Sequence, residues 1–515
     1  MPRIAHGESV TPEQLQQAQE ALASQAAEVD VGFAVAAAPA LQSFDFMFPE
    51  LQTNRANLLT ASPNTVARLK KLGRAMVDPG GTDPGDSTIP ALYTYFGQFV
   101  DHDITLERTS FGGIERLLQD DLAPMTLDAI RVDLKNLRTA SLDLDSVYGP
   151  AAPHLPSNRD KMLIGKVTKV GGRPPGKGDD NDLPRQRRHP EPTLDRAARL
   201  GDPRNDENLI ISQLHLVFLK AHNRLIDQGR TFEQARRILR QHYQHIVLHD
   251  FLKNRVADRT VVLDVLTNGN RFYHPEVEPF FLPLEFTVAG FRFGHTMVRD
   301  TYDYNLNFSP ATLDQLFTFT ALSGQLGEFD TLPENWIIQW ERFIATGGGK
   351  NKARKLDTKL ASELFHLRKI TGEEEGNPAD GAENDAANLA VRNLLRGYGL
   401  RLPTGQALAN AMQLPVLTPA QIQTAAANPR QVEVLKAGRW LERTPLWYYL
   451  LAEAKHHGGN RLGPVGTRLV AEVLVGLVRR SEDSILRVPN WTPSLPSAHT
   501  GAFVLADLLR FAKVV

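Results

Sequence analysis

The stretch Gln98-Phe99-Val100-Asp101-His102-Asp103 sets a histidine between two carboxylates, with a glutamine one helical turn upstream. On a helix, Gln98, Asp101 and His102 are spaced i, i+3 and i+4 and share a face. Phe96, Phe99, Val100 and Asp103 follow their own i, i+3, i+4, i+7 rhythm, so Asp103 points away from His102. The segment therefore carries a polar face able to move protons near neutral pH, an apolar packing face and a separate anionic ligand. A lone helical histidine is more often structural, and both readings stand on this segment alone.

Three further clusters carry potential chemistry. In Thr139-Ala140-Ser141-Leu142-Asp143-Leu144-Asp145, oxygen-bearing side chains occupy every second position. In an extended loop that period puts Thr139, Ser141, Asp143 and Asp145 on one side. Hard oxygen donors in that pattern suit calcium, and Asp103 could add another; a half-buried edge strand with a polar face fits equally. Arg204 and Glu207 are i, i+3 neighbours near a helix start, facing a common cavity or forming a surface ion pair. In Phe291-Arg292-Phe293-Gly294-His295-Thr296 a histidine follows a glycine that lets something bulky approach. His242, His245 and His249 also share a helix face, but without an HExxH pattern they read as packed or solvated rather than as a metal site.

The elements that must position these residues are mostly helical. The 515-residue chain is 42% hydrophobic and 23% charged with a net charge of −1, ordinary for a soluble globular protein and without the basic footprint of a nucleic-acid binder. It has no cysteine, which excludes disulfides, thiolate catalysis, zinc–thiolate and iron–sulfur sites and thiolate-ligated haem. No apolar run is long enough for a transmembrane helix. Met1 to Gly7 lacks the basic and apolar regions of a Sec-type signal, which favours a cytoplasmic location or export by a non-Sec route.

Helix starts are read at Thr11-Pro12, Asp202-Pro203 and Thr444-Pro445, with amphipathic runs over Leu209–Ile226, Glu233–Leu252 and Thr467–Arg479. Strand-like alternation is short, as over Phe286–Phe293. Asp78–Pro90, Lys166–Pro192 and Gly372–Asp385 read as loops. The expectation is an all-α chain: an N-terminal arm (1–43), then one large, mostly helical domain (44–515) with long loops and very little strand.

In order along the chain, Tyr95-Phe96-Gly97-Gln98-Phe99-Val100-Asp101-His102-Asp103, Leu144-Asp145-Ser146-Val147-Tyr148-Gly149, Arg204-Asn205-Asp206-Glu207, Leu219-Lys220-Ala221-His222-Asn223-Arg224-Leu225, Phe291 to Thr296 and Gly399 to Leu408 together resemble the animal-type haem peroxidases of the peroxidase–cyclooxygenase superfamily. The resemblance runs from about Phe44 to the C-terminus. Without cysteine or a signal, the chain looks like a bacterial member.

The resemblance implies a haem b peroxidase that reduces H2O2 through compound I, then oxidises phenols or iodide, bromide or thiocyanate as small-molecule electron donors. It gives His102 the role of distal base, Arg204 that of distal cation and Gln98 that of a hydrogen-bond partner to distal water or halide. His295 would be the proximal iron ligand, Arg292 a propionate partner, and Gln406 would stand where the family usually has the asparagine backing that histidine. Asp101 and Glu207 match the two carboxylates that become ester-linked to haem. Asn208 stands where a vertebrate member has a sulfonium-forming methionine, so no such link is expected. Asp103, Thr139, Ser141, Asp143 and Asp145 match the calcium site, Asp145 replacing the usual serine. Arg292 also occupies the place of the radical tyrosine of the cyclooxygenases, which weakens the rival reading as a fatty-acid dioxygenase. A non-catalytic scaffold is the other rival.

Overall fold

A computed structural model describes residues 42–515 apart from 79–84, 109–112, 150–151, 172–177, 192–193, 319, 321–325, 345–350 and 368–383. The expected arm and its Thr11-Pro12 helix start lie almost wholly outside the described residues, as do most of Gly372–Asp385 and parts of the other two expected loops.

Helices dominate. The ones that position the site are α1 (Pro63–Arg74), α2 (Leu92–Ile104), α3 (Leu209–Asp227), α4 (Phe232–His245), α5 (Arg259–Asn268), α6 (Leu389–Gly399), α7 (Leu446–His456) and α8 (Pro464–Arg480). Their starts follow local chemistry. Asn208 accepts from the Ile211 amide to cap α3, Thr231 and Gln234 form a capping box on α4, and Asn388 caps α6. Past α7, Gly458 and Gly459 take left-handed φ values of 93° and 74°, which ends the helix where the sequence predicts.

The apolar face of α2 packs on α3 and α4. Phe99 stacks on Phe218 with centroids 4.6 Å apart, and Phe96 meets Tyr243 and Phe251 edge-on. This leaves the Gln98–Asp101–His102 face turned the other way. Beyond α4 the chain does not continue as a plain α-helix to Leu252: residues 246–256 form a π-helix that presents Phe251 to the same cluster.

Strands are short. Gln42–Asp45 lies between Lys135–Asn136 (antiparallel) and Phe281–Pro283 (parallel), with Glu107–Arg108 at the edge. This strand crosses the expected boundary at 43/44. Part of the expected Asp78–Pro90 loop is a strand, Asp86–Pro90, paired with Lys352–Arg354.

The alternation over Phe286–Phe293 does not make a strand. Residues 285–289 form a π-turn and Gly290–Met297 a 3-10 stretch. Glu285 through Phe291 are all buried, so the sequence pattern reports no half-exposed sheet face there. Gly290 is required by close packing: a Cβ would lie 2.7 Å from the Leu469 side chain of α8.

Candidate active site

One cavity gathers most of the predicted residues. His102, Gln98 and Asp101 from α2, Arg204 and Glu207 from the turn ahead of α3, and Arg292 and His295 from the 3-10 stretch all line it. Gln406 does not. On the His295 side, a Cβ on Gly294 would meet open space.

The His102 wall is a closed hydrogen-bond network. His102 Nδ1 lies 2.9 Å from Asn205 Oδ1, and Asn205 Nδ2 lies 3.0 Å from His215 Nδ1. Burial pushes His215 down to about 3, so it stays neutral and can accept from the amide. The amide oxygen is then left for the His102 Nδ1–H, which frees Nε2 as a lone-pair acceptor. Nε2 lies 3.9 Å from Glu207 Oε1. Burial, aided by Arg204, holds His102 below the usual histidine range, so the imidazole is neutral at neutral pH. Gln98 Nε2 donates to Glu207 Oε1, and Asn208 Nδ2 donates to Gln98 Oε1 at 3.3 Å.

Arg204 is fixed from behind. Its Nη2 bonds Asp202 Oδ2 at 2.7 Å and the His102 carbonyl at 3.1 Å. Asp202 also meets Arg138 Nη2 at 2.5 Å, and Arg138 Nη1 lies 3.6 Å from Asp145. Burial opposes ionisation of Asp202, but Arg138 and Arg204 together hold its carboxyl well below the usual range. A buried ladder of alternating charge thus runs Asp145–Arg138–Asp202–Arg204.

At its far end Asp103, Asp143 and Asp145 bring carboxylate oxygens within 4.8 Å of one another. Thr139 Oγ1 joins them, 2.9 Å from Asp143 and 3.4 Å from Asp145. Ser141 Oγ instead donates to the Thr139 carbonyl. Burial, then Asp143, pushes Asp103 up to about 7. One buried and two half-buried carboxylates in such proximity suit a hard divalent cation, which would relieve their repulsion. The loop is not extended as expected. Ala140, Leu142 and Leu144 sit at φ of 48°, 49° and 59°, curling the chain while burying the apolar side chains. Left-handed backbone at non-glycine residues is strained, and it persists where surrounding contacts over-determine it.

The His295 wall is built differently. Asn393 of α6 places Nδ2 2.9 Å from His295 Nδ1, while its Oδ1 accepts from Arg292 Nη1 at 2.8 Å. This corrects the expectation for Gln406. Gln406 Nε2 donates to Thr444 Oγ1 at 2.8 Å and its Oε1 accepts from the Thr444 amide, so its side chain ties the chain ahead of α7. Arg292 is held down to about 10, first by burial and then by Arg396, which lines the same cavity and pairs with Glu107. Two guanidiniums crowded at one cavity suit a ligand bearing carboxylates. With two histidines lining one cavity, two arginines beside them and open space over Gly294, the residues fit a haem.

Asn205, His215, Asp202, Arg138, Asn393 and Arg396 were not assigned from sequence. Asn205 follows Arg204 directly and Asp202 lies two residues before it, and Asn393 and Arg396 share a face of α6 at i, i+3, which were the available signals. In the His242, His245 and His249 group, His242 and His245 pack by hydrogen bonds to the backbone. His242 Nε2 accepts from the Ser494 and Leu495 amides and His245 Nε2 from Phe503, so these rings pin the C-terminal segment.

A family model described as animal haem peroxidase matches residues 131–473. Heme peroxidase 2 of Caenorhabditis elegans is 34% identical over 308 residues, 54% of this chain and 39% of that protein. A peroxidase-like protein of Margaritifera margaritifera is 25% identical over 47% of this chain and 32% of its own length. The chain thus spans about a third of the length of these relatives. Among solved structures, peroxidase A of Dictyostelium discoideum superposes with a TM-score of 0.54 at 18% identity, covering 88% of this chain and 89% of that one. The fatty acid alpha-dioxygenase of Oryza sativa gives 0.50 at 14% identity, over 86% and 75%. Among the described residues no helix is long and apolar enough to cross a membrane. The architecture is the mostly helical one these structures share, and the chain belongs to the animal haem peroxidase family.

Proposed function

We propose that the protein is a haem peroxidase that reduces H2O2 and oxidises a small electron donor, either a phenol or iodide, bromide or thiocyanate. The observation that carries this reading is that one cavity is lined both by a neutral His102, whose Nδ1 is held by Asn205, and by a His295 whose Nδ1 meets the Asn393 amide. Haem b, when bound, supplies the oxidising chemistry that peroxide drives. His102 Nε2 takes a proton from one peroxide oxygen and returns it to the other. Arg204 stays cationic and stabilises charge on the departing oxygen, held in place by Asp202. Gln98, gripped by Glu207 and Asn208, positions distal water or a halide.

His295 would hold the iron, with Arg292 and Arg396 available to the haem carboxylates. Presenting Nε2 to a metal requires the proton on Nδ1 and the Asn393 amide turned so that its oxygen accepts it, which takes that oxygen from Arg292 Nη1 and requires Arg292 to swing toward the ligand's carboxylates. Asp101 and Glu207 are the carboxylates available for ester links. Asn208 has no sulfur, so chloride oxidation should be poor. Calcium, at Asp103, Asp143, Asp145 and Thr139, braces the back of α2; Ser141 completes the expected set only by rotating away from the Thr139 carbonyl. The peroxidase domain includes the strand that starts at Gln42, and runs from there to Val515.

Tyr93 and Tyr95 also line the cavity, which favours a fatty-acid dioxygenase as the second reading. Peroxide consumption with a phenolic donor and no oxygen uptake with fatty acid supports the peroxidase; the reverse pattern supports the dioxygenase. Denaturing mass spectrometry after H2O2 treatment should find haem retained on the chain. Haem that extracts fully into acidic solvent would falsify the ester assignment.

A further inference from the structure

A second cavity, of about 530 Å3, lies beside α6 and the start of α7 and shares no step with the chemistry above. That volume suits a drug-sized organic molecule. Its apolar lining includes Leu394, Leu402, Leu446 and Trp447, each no more than 6% exposed. Its charged lining is Arg55, Arg401 and Arg443, and no Asp or Glu lines it. Arg55 is exposed and the other two are half-buried, so the cations sit toward the mouth and the apolar residues toward the floor. Arg443 is fixed there, its Nη2 donating to the Arg55 carbonyl at 3.0 Å and to that of Leu58. Three arginines thus line one apolar cavity with no carboxylate among them, Arg401 also donating to Gln52 Oε1 at 3.4 Å, and guanidinium forks pair well with carboxylates.

We propose that this cavity binds an amphiphilic organic anion, an aliphatic carboxylate whose head meets the arginines and whose tail lies on the leucines and Trp447. The floor is also the back wall of the His295 side. Trp447 Nε1 donates to the Arg292 carbonyl at 3.2 Å, and Asn393, which meets His295, lines this cavity too. Occupancy therefore abuts the residues that hold the proximal histidine.

Isothermal titration of the intact protein with decanoate and with methyl decanoate tests this. Decanoate should bind at one saturable site, and methyl decanoate at least tenfold more weakly. Arg443 also ties two carbonyls, so the test rests on Arg55→Gln with Arg401→Gln, whose side chains hold no backbone group among the described contacts. That double variant, shown by circular dichroism to be folded, should weaken decanoate at least tenfold, the worth of one charge-assisted contact. No saturable binding, equal binding of the ester, or unchanged affinity in the double variant overturns the proposal. Loss in Arg396→Gln alone assigns the anion to the haem-facing cavity and also overturns it.

Discussion

The two walls of the haem-facing cavity are built on opposite plans. The His102 wall is local in sequence and continuous in hydrogen bonding. Gln98, Asp101 and His102 share one face of α2, and the stretch Asp202 to Asn208 supplies Glu207 and Asn208 to Gln98 and Asn205 to His102. The His295 wall rests on a 3-10 stretch and takes its backing from Asn393, 98 residues further along the chain. A wall made from one helix face and one turn tolerates little local change, because each side chain is already another's partner. A wall closed by a remote helix depends on how α6 packs against α1, α7 and the 3-10 stretch.

Losing an axial ligand should have the largest effect. His295→Ala should lose or misligate haem, with the native absorption bands gone. Full haem content with an unchanged ferric spectrum would remove His295 from the proximal role. His102→Ala comes next. It should keep haem yet slow the reaction with peroxide by roughly 10²–10⁴-fold, the usual worth of a positioned acid–base group. The pH dependence follows from the sign of its shift. The competent form is neutral, and burial with Arg204 lowers the pKa, so the rate should be flat above the ordinary histidine range and fall only below it. A midpoint above pH 6.5, followed by stopped-flow, would contradict the buried geometry.

The Asn393 and Gln406 pair sharpens the contrast. Asn393→Ala should weaken haem retention by about 10–100-fold and shift the spectrum, as loss of a ligand's hydrogen-bond partner does. Gln406→Ala should leave the spectrum alone and cost about 1–3 kcal/mol of stability through the Thr444 contacts it breaks. A spectral shift in Gln406→Ala with none in Asn393→Ala would reverse the assignment. Removing calcium with a chelator should act more mildly on rate, less than about tenfold, because it reaches Arg204 only through Arg138 and Asp202. It should lower the thermal midpoint, and elemental analysis should find the metal beforehand. An unchanged midpoint with no bound calcium would leave the acidic cluster without a cation.

This contrast also explains what the sequence disclosed. Helical periodicity places Gln98, Asp101, His102 and Asp103 correctly, because neighbours on one helix keep their angular relation whatever the tertiary context. The helical class and the amphipathic run of α3 follow in the same way, but the starts do not: Asp202-Pro203 opens only the 3-10 turn Pro203–Asp206 while Asn208 caps α3, and Pro445 rather than Thr444 stands at the N-cap of α7. Asn393 escaped because nothing in local spacing relates it to His295, whereas Gln406 sat near a motif of the right order. The 139–145 loop was half-read. Its alternation of side chains holds, but left-handed Ala140, Leu142 and Leu144 make a curl rather than an extended run. Phe286–Phe293 misled because alternation separates a strand from a tight helical turn only where one face is wet, and here neither is.

The central claim, a haem held by His295 with a peroxide-reactive face at His102, is tested most directly by the absorption spectrum of the haem-loaded protein before and after one equivalent of H2O2. The account predicts a ferric Soret band in the wild type that changes within the mixing time and returns when a phenolic donor is added. It also predicts a His102→Ala protein with the same starting band and a slow change. A protein that takes up no haem, or whose Soret band ignores peroxide, would contradict it.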